Sequence, residues 1–134
     1  MKRTVNTSFF ILFIAGLLSM APTKSTVENA VAILTFESEV VDYGTIEQHA
    51  DGTRIFTFKN EGDAPLIISK VKTSCGCTVP NYSKDPILPG NSGELEIKYD
   101  TKKLGAFTKT ITVLSNAKEG EKTLKIKGTV VAAK

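Results

Sequence analysis

The sequence contains no Trp, a single His and only two Cys, so it lacks the side chains from which most catalytic and metal sites are built. A nucleophile triad needs a His placed by an acid, and a structural zinc site needs four Cys or His ligands. No Gly-rich phosphate loop, nucleophile elbow or metalloprotease helix motif is present either. The sequence therefore predicts a protein that is not an enzyme.

A strong excess of either charge is also lacking. Lys and Arg total 17 and Asp and Glu total 14, which gives a net charge of +3 over 134 residues. Without Lys2 and Arg3 the net charge falls from +3 to +1, because residues 1–21 contain no acid. This balance predicts one folded domain and excludes an electrostatic nucleic-acid binder.

Long hydrophobic runs are absent except near the start of the chain. Phe9–Met20 contains 12 residues without a charge, and Lys2 and Arg3 precede it. A membrane-spanning helix needs about 20 apolar residues, so this run is too short to serve as a permanent span. The pattern is typical of a secretory signal peptide over residues 1–21, with cleavage between Ala21 and Ala32. It predicts an exported protein.

Residues 30–132 alternate between apolar and polar side chains in short stretches that are rich in Val, Ile, Thr, Phe and Tyr. Leu95, Ile97 and Tyr99, for example, share one face of a strand. No window has a helical period. The stretches are Ala30–Phe36, Val40–Gly44, Thr53–Lys59, Leu66–Lys72, Gly93–Asp100, Phe107–Ser115 and Lys122–Val131. About seven such strands predict an all-β fold, an immunoglobulin-like antiparallel β-sandwich, with a small barrel as the alternative.

Both cysteines lie in one short motif, Ser74-Cys75-Gly76-Cys77-Thr78. In an extended chain their α-carbons would be near or beyond the limit of about 6.8 Å for a disulfide, and Gly76 permits the bend that brings them closer. Such a bridge closes a very small loop, so it would add little stability and suits a redox role. A small, buried, chemically inert pair of cysteines is the competing interpretation.

Two further chemistries remain open for the pair. Two thiolates suit Cu(I) or half of a zinc site, but His49 is the only histidine, so a complete site needs a second protomer or outside ligands. The cysteines could also form a disulfide to a partner. Lys70, Lys72 and Lys84 are close in sequence and could favour a thiolate, although surface lysines are usually only solvated.

The remaining polar candidates are weaker. His49 falls in a polar segment that is typical of a solvated loop, and Glu94 and Glu96 share the polar face of one strand. Neither arrangement indicates acid–base catalysis, because a catalytic group needs a partner within hydrogen-bonding reach.

An ordered set of motifs resembles one family of exported proteins of Gram-negative bacteria, called domain of unknown function 1573. The motifs are Asp42–Gly44, Phe58–Leu66, Ser74–Thr78, Leu88–Gly90 and Gly105–Ile111. The resemblance implies an immunoglobulin-like fold of the type found in sperm proteins and cilia-associated modules, together with export to the periplasm or cell envelope. The family has no established reaction.

These observations favour an exported, non-catalytic binding or scaffolding module with a protein partner in the envelope. It would bind through an exposed sheet face or an edge strand. The alternative is a thiol redox or Cu(I) site at Cys75 and Cys77, supported by Ser74, Gly76 and Thr78, on the same sandwich. No cofactor is expected in the first case, and Cu(I) or zinc is the candidate in the second.

Overall fold

The computed structural model of the chain describes residues 16, 18 and 29–134. Apart from residues 16 and 18, the predicted signal peptide and the first part of its cleavage window therefore lie outside the described residues. In the last part of that window, Val31 N–H donates to the Asp63 carboxylate (2.7 Å), the Val31 carbonyl accepts from Asp63 N–H (2.9 Å), and Ala32 is buried. Cleavage after Ala32 would remove these contacts, so we expect the cut to lie before Val31.

The described chain forms eight strands and two four-stranded sheets, which confirms the all-β sandwich. Sheet A has the order β1-β3-β6-β5 and sheet B has the order β2-β8-β7-β4. The strands are β1 (Leu34–Phe36), β2 (Val40–Glu47), β3 (Thr53–Asn60), β4 (Ile68–Thr73), β5 (Thr78–Tyr82), β6 (Ser92–Tyr99), β7 (Gly105–Ser115) and β8 (Glu121–Val131). None of the residues in the described part of the chain is helical.

Alternation of side chains along each strand builds the core between the two sheets. In β6, Leu95, Ile97 and Tyr99 point inward and are buried, as the sequence pattern predicts. Ile111 of β7 and Leu124 of β8 are also fully buried and face them from sheet B. Burying each of these aliphatic side chains contributes about 2 kcal/mol, so the apolar alternation accounts for the two-layer arrangement.

Two features of the sandwich differ from the prediction. First, it is not wholly antiparallel, because β2 pairs with β8 in parallel. The chain leaves sheet A after β1, crosses to sheet B within Glu37–Glu39 and continues beside β8. Strand direction depends on such long-range pairing, which alternation within a strand does not encode.

Second, the sequence pattern missed β5 because Pro80 lies in the middle of it. Proline has no N–H group to donate to a neighbouring strand, so it is disfavoured in a strand that pairs on both of its sides. β5 is an edge strand that pairs only with β6, so its outer side has no hydrogen bonds to a neighbouring strand that Pro80 could interrupt.

The turns gather at two opposite ends of the sandwich. At the cysteine end, defined by the turns β2–β3, β4–β5 and β6–β7, Asp100 N–H donates to the Cys77 carbonyl (2.8 Å) and the Thr101 hydroxyl donates to the Ala50 carbonyl (2.7 Å). The asparagine end is defined by the turns β3–β4, β5–β6 and β7–β8. There the Asn60 side-chain amide donates to the Ile87 carbonyl and the Asn116 side-chain amide donates to the Pro65 carbonyl. β4 runs from the asparagine end to the cysteine end.

Candidate functional site

The motif Ser74–Thr78 forms the turn in which the chain passes from sheet B to sheet A. Cys75 and Cys77 are joined by a disulfide, and their α-carbons are 5.3 Å apart. Both cysteines are half-buried, whereas Gly76 between them is exposed. Of the chemistries that the sequence leaves open, the structure therefore has the internal disulfide, and neither cysteine among the described residues is a free thiol.

Hydrogen bonds that do not involve sulfur hold this turn in place. The Thr73 hydroxyl lies 3.0 Å from the Cys75 carbonyl and 3.2 Å from the Thr78 carbonyl, and it bridges the two sides of the turn. Ser74 N–H donates to the Thr110 carbonyl, and the Ser74 hydroxyl accepts from Thr110 N–H at 3.1 Å. The turn is thus fixed to β7 independently of the disulfide.

The two sulfur atoms have different surroundings. Cys77 packs against the hydrophobic core, and its sulfur lies 4.0 Å from the hydroxyl of the buried Thr78. Cys75 has no such packing, and its sulfur accepts a hydrogen bond from Cys77 N–H at 3.2 Å. A backbone N–H directed at sulfur stabilises negative charge there, so Cys75 is the better placed of the two to carry a thiolate.

Gly76 does not use the conformational freedom that is particular to glycine. Its φ lies outside the left-handed region, and an added β-carbon would meet nothing within 4 Å. The bend that brings the sulfurs together is therefore one that other residues can also adopt, and the Thr73 hydrogen bonds account for its closure.

Metal ligands beyond the two sulfurs do not gather around this turn. Within residues 29–134, no group of three or more His, Cys, Asp or Glu is arranged to hold a metal ion. Both sulfurs are also consumed by the disulfide. A Cu(I) or zinc site on Cys75 and Cys77 would need reduction of the disulfide and ligands from another molecule.

The other candidates are placed apart in the fold. His49 is exposed in the β2–β3 turn, where its φ is 68° and its N–H donates to the Thr101 carbonyl. Glu94 and Glu96 lie on the outer face of sheet A, as their alternation predicts. Lys84 is exposed in the β5–β6 turn, while Lys70 and Lys72 are exposed on β4.

The structure reveals a buried aromatic cluster at the cysteine end, formed by Tyr43, Tyr99 and Phe107, whose mutual contacts the sequence pattern did not indicate. The Tyr43 hydroxyl donates to the Gly52 carbonyl at 2.6 Å, and the Arg54 guanidinium lies 4.2 Å from the Tyr43 ring centroid. Burial raises the pKa of Tyr43 to about 12, and the nearby Arg54 charge opposes this only in part. The cluster fixes the β2–β3 turn to the core, and in the sequence Arg54 stands at the start of the apolar alternation of β3.

The Asn60–Leu66 turn, which also carries the family resemblance, has a structural explanation. Asn60 is fully buried and its side-chain amide donates to the Ala64 carbonyl (2.7 Å) and the Ile87 carbonyl (2.9 Å). Its side-chain oxygen accepts from the N–H groups of Gly62 and Ile33. All the hydrogen-bonding capacity of this amide is used inside the protein, so the Asn60 side chain has no free polar group for chemistry.

The outer faces of the two sheets differ in charge. On sheet B, four exposed lysines lie on either side of the threonine-rich β7, and the acidic residues on the face are Asp42 and Glu47 on the edge strand β2 and Glu121 at one end of β8. These lysines are Lys70, Lys72, Lys125 and Lys127. We call this surface the lysine face. On sheet A, the outer face carries two lysines, Lys59 and Lys98, and two glutamates, Glu94 and Glu96.

A family model agrees with the sequence resemblance. The family described as Protein of unknown function (DUF1573) matches residues 34–130, which include all the strands except the last residue of β8. Among curated proteins, none matches the chain significantly.

Solved structures with similar folds share little sequence with the chain. A protein of unknown function from Porphyromonas gingivalis W83 has a TM-score of 0.65 and 19% identity, over 73% of this chain and 46% of that protein. The PapD-like domain 7 of human CEP192 has a TM-score of 0.65 and 7% identity, over 78% of this chain and 89% of that domain. The YadV chaperone has a TM-score of 0.55 and 9% identity, over 72% of this chain and 51% of the chaperone.

At these identities the likeness shows the fold alone, an immunoglobulin-like β-sandwich. The chain spans less than half of the Porphyromonas gingivalis protein. No helix in the described part of the chain is long and apolar enough to cross a membrane.

Proposed function

This chain belongs to the family described as Protein of unknown function (DUF1573), and from that membership and the fold we propose an exported, non-catalytic protein-binding module. It works in the periplasm or cell envelope of a Gram-negative bacterium. It holds an acidic protein partner on the lysine face. The observation that carries this proposal is the concentration of four exposed lysines on the outer face of one sheet only.

The four sheet edges are poorly suited to binding by strand addition. β5 contains Pro80, β1 has three residues, and both β2 and β4 contain irregularities in register. Proline, short edge strands and bulges all disfavour pairing with an incoming strand. Of the two surfaces that the sequence suggested, a sheet face therefore fits a partner better than an edge.

The geometry of the lysine face favours an extended acidic surface. Lys70 and Lys72 lie on β4, while Lys125 and Lys127 lie on β8, and β7 separates the two pairs. Neighbouring strands are about 4.8 Å apart, so the two pairs are separated by roughly 10 Å. The single ion pair within this group, Lys127 with Asp42 at 3.9 Å, is exposed and weak. The lysines are thus available to an acidic partner.

Binding is tested with a labelled peptide rich in Asp and Glu and fluorescence anisotropy at low ionic strength. We expect the pair Lys125→Glu and Lys127→Glu to weaken binding at least about tenfold, because repulsion replaces attraction. The matched control is the pair Lys59→Glu and Lys98→Glu on sheet A, which makes the same change of charge and should alter binding less than about twofold.

Three results would overturn the binding proposal. The wild-type protein could fail to bind the acidic peptide, both double variants could lose binding equally, or heparin could bind far more tightly than the peptide. The last result would identify the lysine face as a site for an anionic polysaccharide instead of a protein.

Export is tested separately by expressing the full chain in a Gram-negative host and measuring the intact mass of the periplasmic product. We expect a mass that corresponds to cleavage between Ala21 and Val31. Leu12→Arg, which interrupts the apolar run, should leave the uncleaved protein in the cytoplasm. Detection of the wild-type protein in the cytoplasm, with residues 1–21 still attached, would contradict the proposed location.

A further inference from the structure

We propose that the Cys75–Cys77 disulfide is a thiol–disulfide exchange site whose substrates are the dithiol or disulfide pairs of other proteins. Cys75 exchanges with the substrate and Cys77 is the resolving cysteine. This activity goes beyond the binding proposed for the lysine face and does not depend on it, because it rests on the geometry of the β4–β5 turn.

The disulfide has little value as a structural link. It joins residues separated by two positions within one turn, so it connects no distant elements. Constraint of the unfolded chain increases with loop length and is small for a loop of this size. The bridge also lies at the surface, with both cysteines half-buried beside the exposed Gly76. Its position suits access by a reacting thiol better than stabilisation of the fold.

The turn keeps its attachments when the S–S bond is broken. The Thr73 hydroxyl holds the Cys75 carbonyl, Ser74 is bonded to Thr110, and Asp100 N–H holds the Cys77 carbonyl. None of these contacts uses a sulfur atom. The protein is therefore built to exist in an oxidised and a reduced form with the same fold.

The roles of the two cysteines follow from their surroundings. Cys75 Sγ faces the Cys77 N–H at 3.2 Å, which stabilises the negative charge that this sulfur carries as a nucleophile or leaving group. Cys77 packs against the core and is covered on that side. An incoming thiolate therefore reaches Cys75, and Cys77 remains close enough to resolve the mixed disulfide.

In one direction of the exchange, the Cys75–Cys77 disulfide oxidises a dithiol of the partner protein. A partner thiolate attacks Cys75 Sγ, the Cys75–Cys77 bond breaks, and Cys77 leaves as a thiolate that takes up a proton. The second thiol of the partner loses its proton and attacks the partner's own sulfur in the mixed disulfide. A disulfide forms in the partner and Cys75 leaves as a thiolate beside the Cys77 N–H. Two electrons and one proton have then passed from the partner to the cysteine pair, and the negative charge of the attacking thiolate has moved from the partner to Cys75.

The first test asks whether the disulfide is reduced in the folded protein. The oxidised protein is treated with dithiothreitol and then with N-ethylmaleimide, and the intact mass and the circular dichroism spectrum are recorded. We expect two maleimide additions with an unchanged β-sheet spectrum, and recovery of the disulfide with glutathione disulfide. Protection of the bridge until denaturant is added would overturn the proposal, and so would unfolding on reduction.

The second test compares the two sulfurs. Cys77→Ser leaves Cys75 free and Cys75→Ser leaves Cys77 free, and each variant is reacted with glutathione disulfide under identical conditions. We expect Cys75 to form the mixed disulfide at least about tenfold faster, because access and thiolate stabilisation both favour it. The control is a peptide of residues 74–78 with the same replacements, in which the two rates should agree within about twofold.

Equal rates in the two folded variants, or a faster Cys77, would overturn the assignment of roles. If a variant fails to fold, the reduced wild-type protein is treated with less than one equivalent of maleimide and the labelled cysteine is located by peptide fragmentation. Label found mainly on Cys75 supports the proposal, while label spread equally or found on Cys77 contradicts it.

Discussion

The two ends of β4 carry turns that resemble the same family by sequence but differ in their physical role. At the asparagine end, the side-chain amide of the fully buried Asn60 makes four hydrogen bonds within the protein. At the cysteine end, the turn places a disulfide and an exposed Gly76 at the surface. A turn can therefore have a characteristic sequence for either of two reasons. The fold can require those residues, or the chemistry of the turn can require them.

The glycines of the two turns illustrate the same difference. A β-carbon on Gly62 would collide with the Val31 carbonyl oxygen and would lie 2.6 Å from the Ile33 nitrogen. A β-carbon on Gly76 would meet nothing within 4 Å. The backbone packs closely at the asparagine end and is open at the cysteine end, so stability should depend on the first turn and reactivity on the second.

The largest expected effect is that of Asn60→Ala. This change leaves the Ala64 and Ile87 carbonyls without their donor and creates a cavity, so the free energy of unfolding should fall by about 4 kcal/mol. The matched control is Asn81→Ala on the exposed face of β5, which should change it by less than about 0.5 kcal/mol. Urea unfolding measures both. Equal losses would show that Asn60 does not hold the asparagine end.

Gly62→Ala is expected to have the next largest effect. The backbone of residues 31–33 must move to admit the methyl group, which should lower the free energy of unfolding by about 3 kcal/mol. Gly76→Ala introduces the same methyl group into open space and should change it by less than about 1 kcal/mol. The comparison between the two turns would be broken if Gly76→Ala were the more harmful substitution.

The cysteine pair is expected to contribute less to stability. Replacing both residues, Cys75→Ser with Cys77→Ser, removes only a very short closed loop and should lower the free energy of unfolding by about 1.5 kcal/mol. Reduction of the wild-type protein should cause a similar loss. A loss as large as that of Asn60→Ala would mean that the disulfide supports the fold, and the functional contrast between the two turns would disappear.

An effect confined to high pH is expected from the Tyr43 anchor of the cysteine end. The pKa of Tyr43 is raised by burial from its ordinary value of 10.0 to about 12, so the folded state holds a proton that the unfolded state releases. Stability from this group is complete below pH 10 and is lost as the pH rises from 10 to 12. Tyr43→Phe should reduce this loss, while the pKa of Tyr99, which is also raised by burial, leaves part of it. An unchanged pH dependence in Tyr43→Phe would contradict the assignment.

Much of the sandwich could be predicted from the sequence because alternation encodes burial directly. Leu95, Ile97 and Tyr99 of β6 are buried as their spacing predicts. The parallel pairing of β2 with β8 could not be predicted in the same way, since it depends on which distant strands meet. β5 was missed because Pro80 is acceptable only at an edge, and edges are defined by the complete sheet.

The candidate site was predicted only in part. The pattern Cys75-Gly76-Cys77 identifies the two sulfurs, but the different surroundings of the two sulfurs arise from the core packing of Cys77 and from a single backbone N–H. The role of Asn60 was hidden because its four partners come from Ile33, Gly62, Ala64 and Ile87, which are dispersed along the chain. The lysine face combines β4 and β8 and becomes visible only when β7 is placed between them.

The central claim, that the cysteine turn changes redox state while the rest of the fold stays fixed, is tested most directly by amide NMR spectra of the oxidised and reduced protein. We expect chemical-shift changes at residues 73–78 and at their bonded neighbours Asp100 and Thr110, with the Asn60–Leu66 amides unchanged. Shift changes or loss of dispersion across both sheets on reduction would contradict the account.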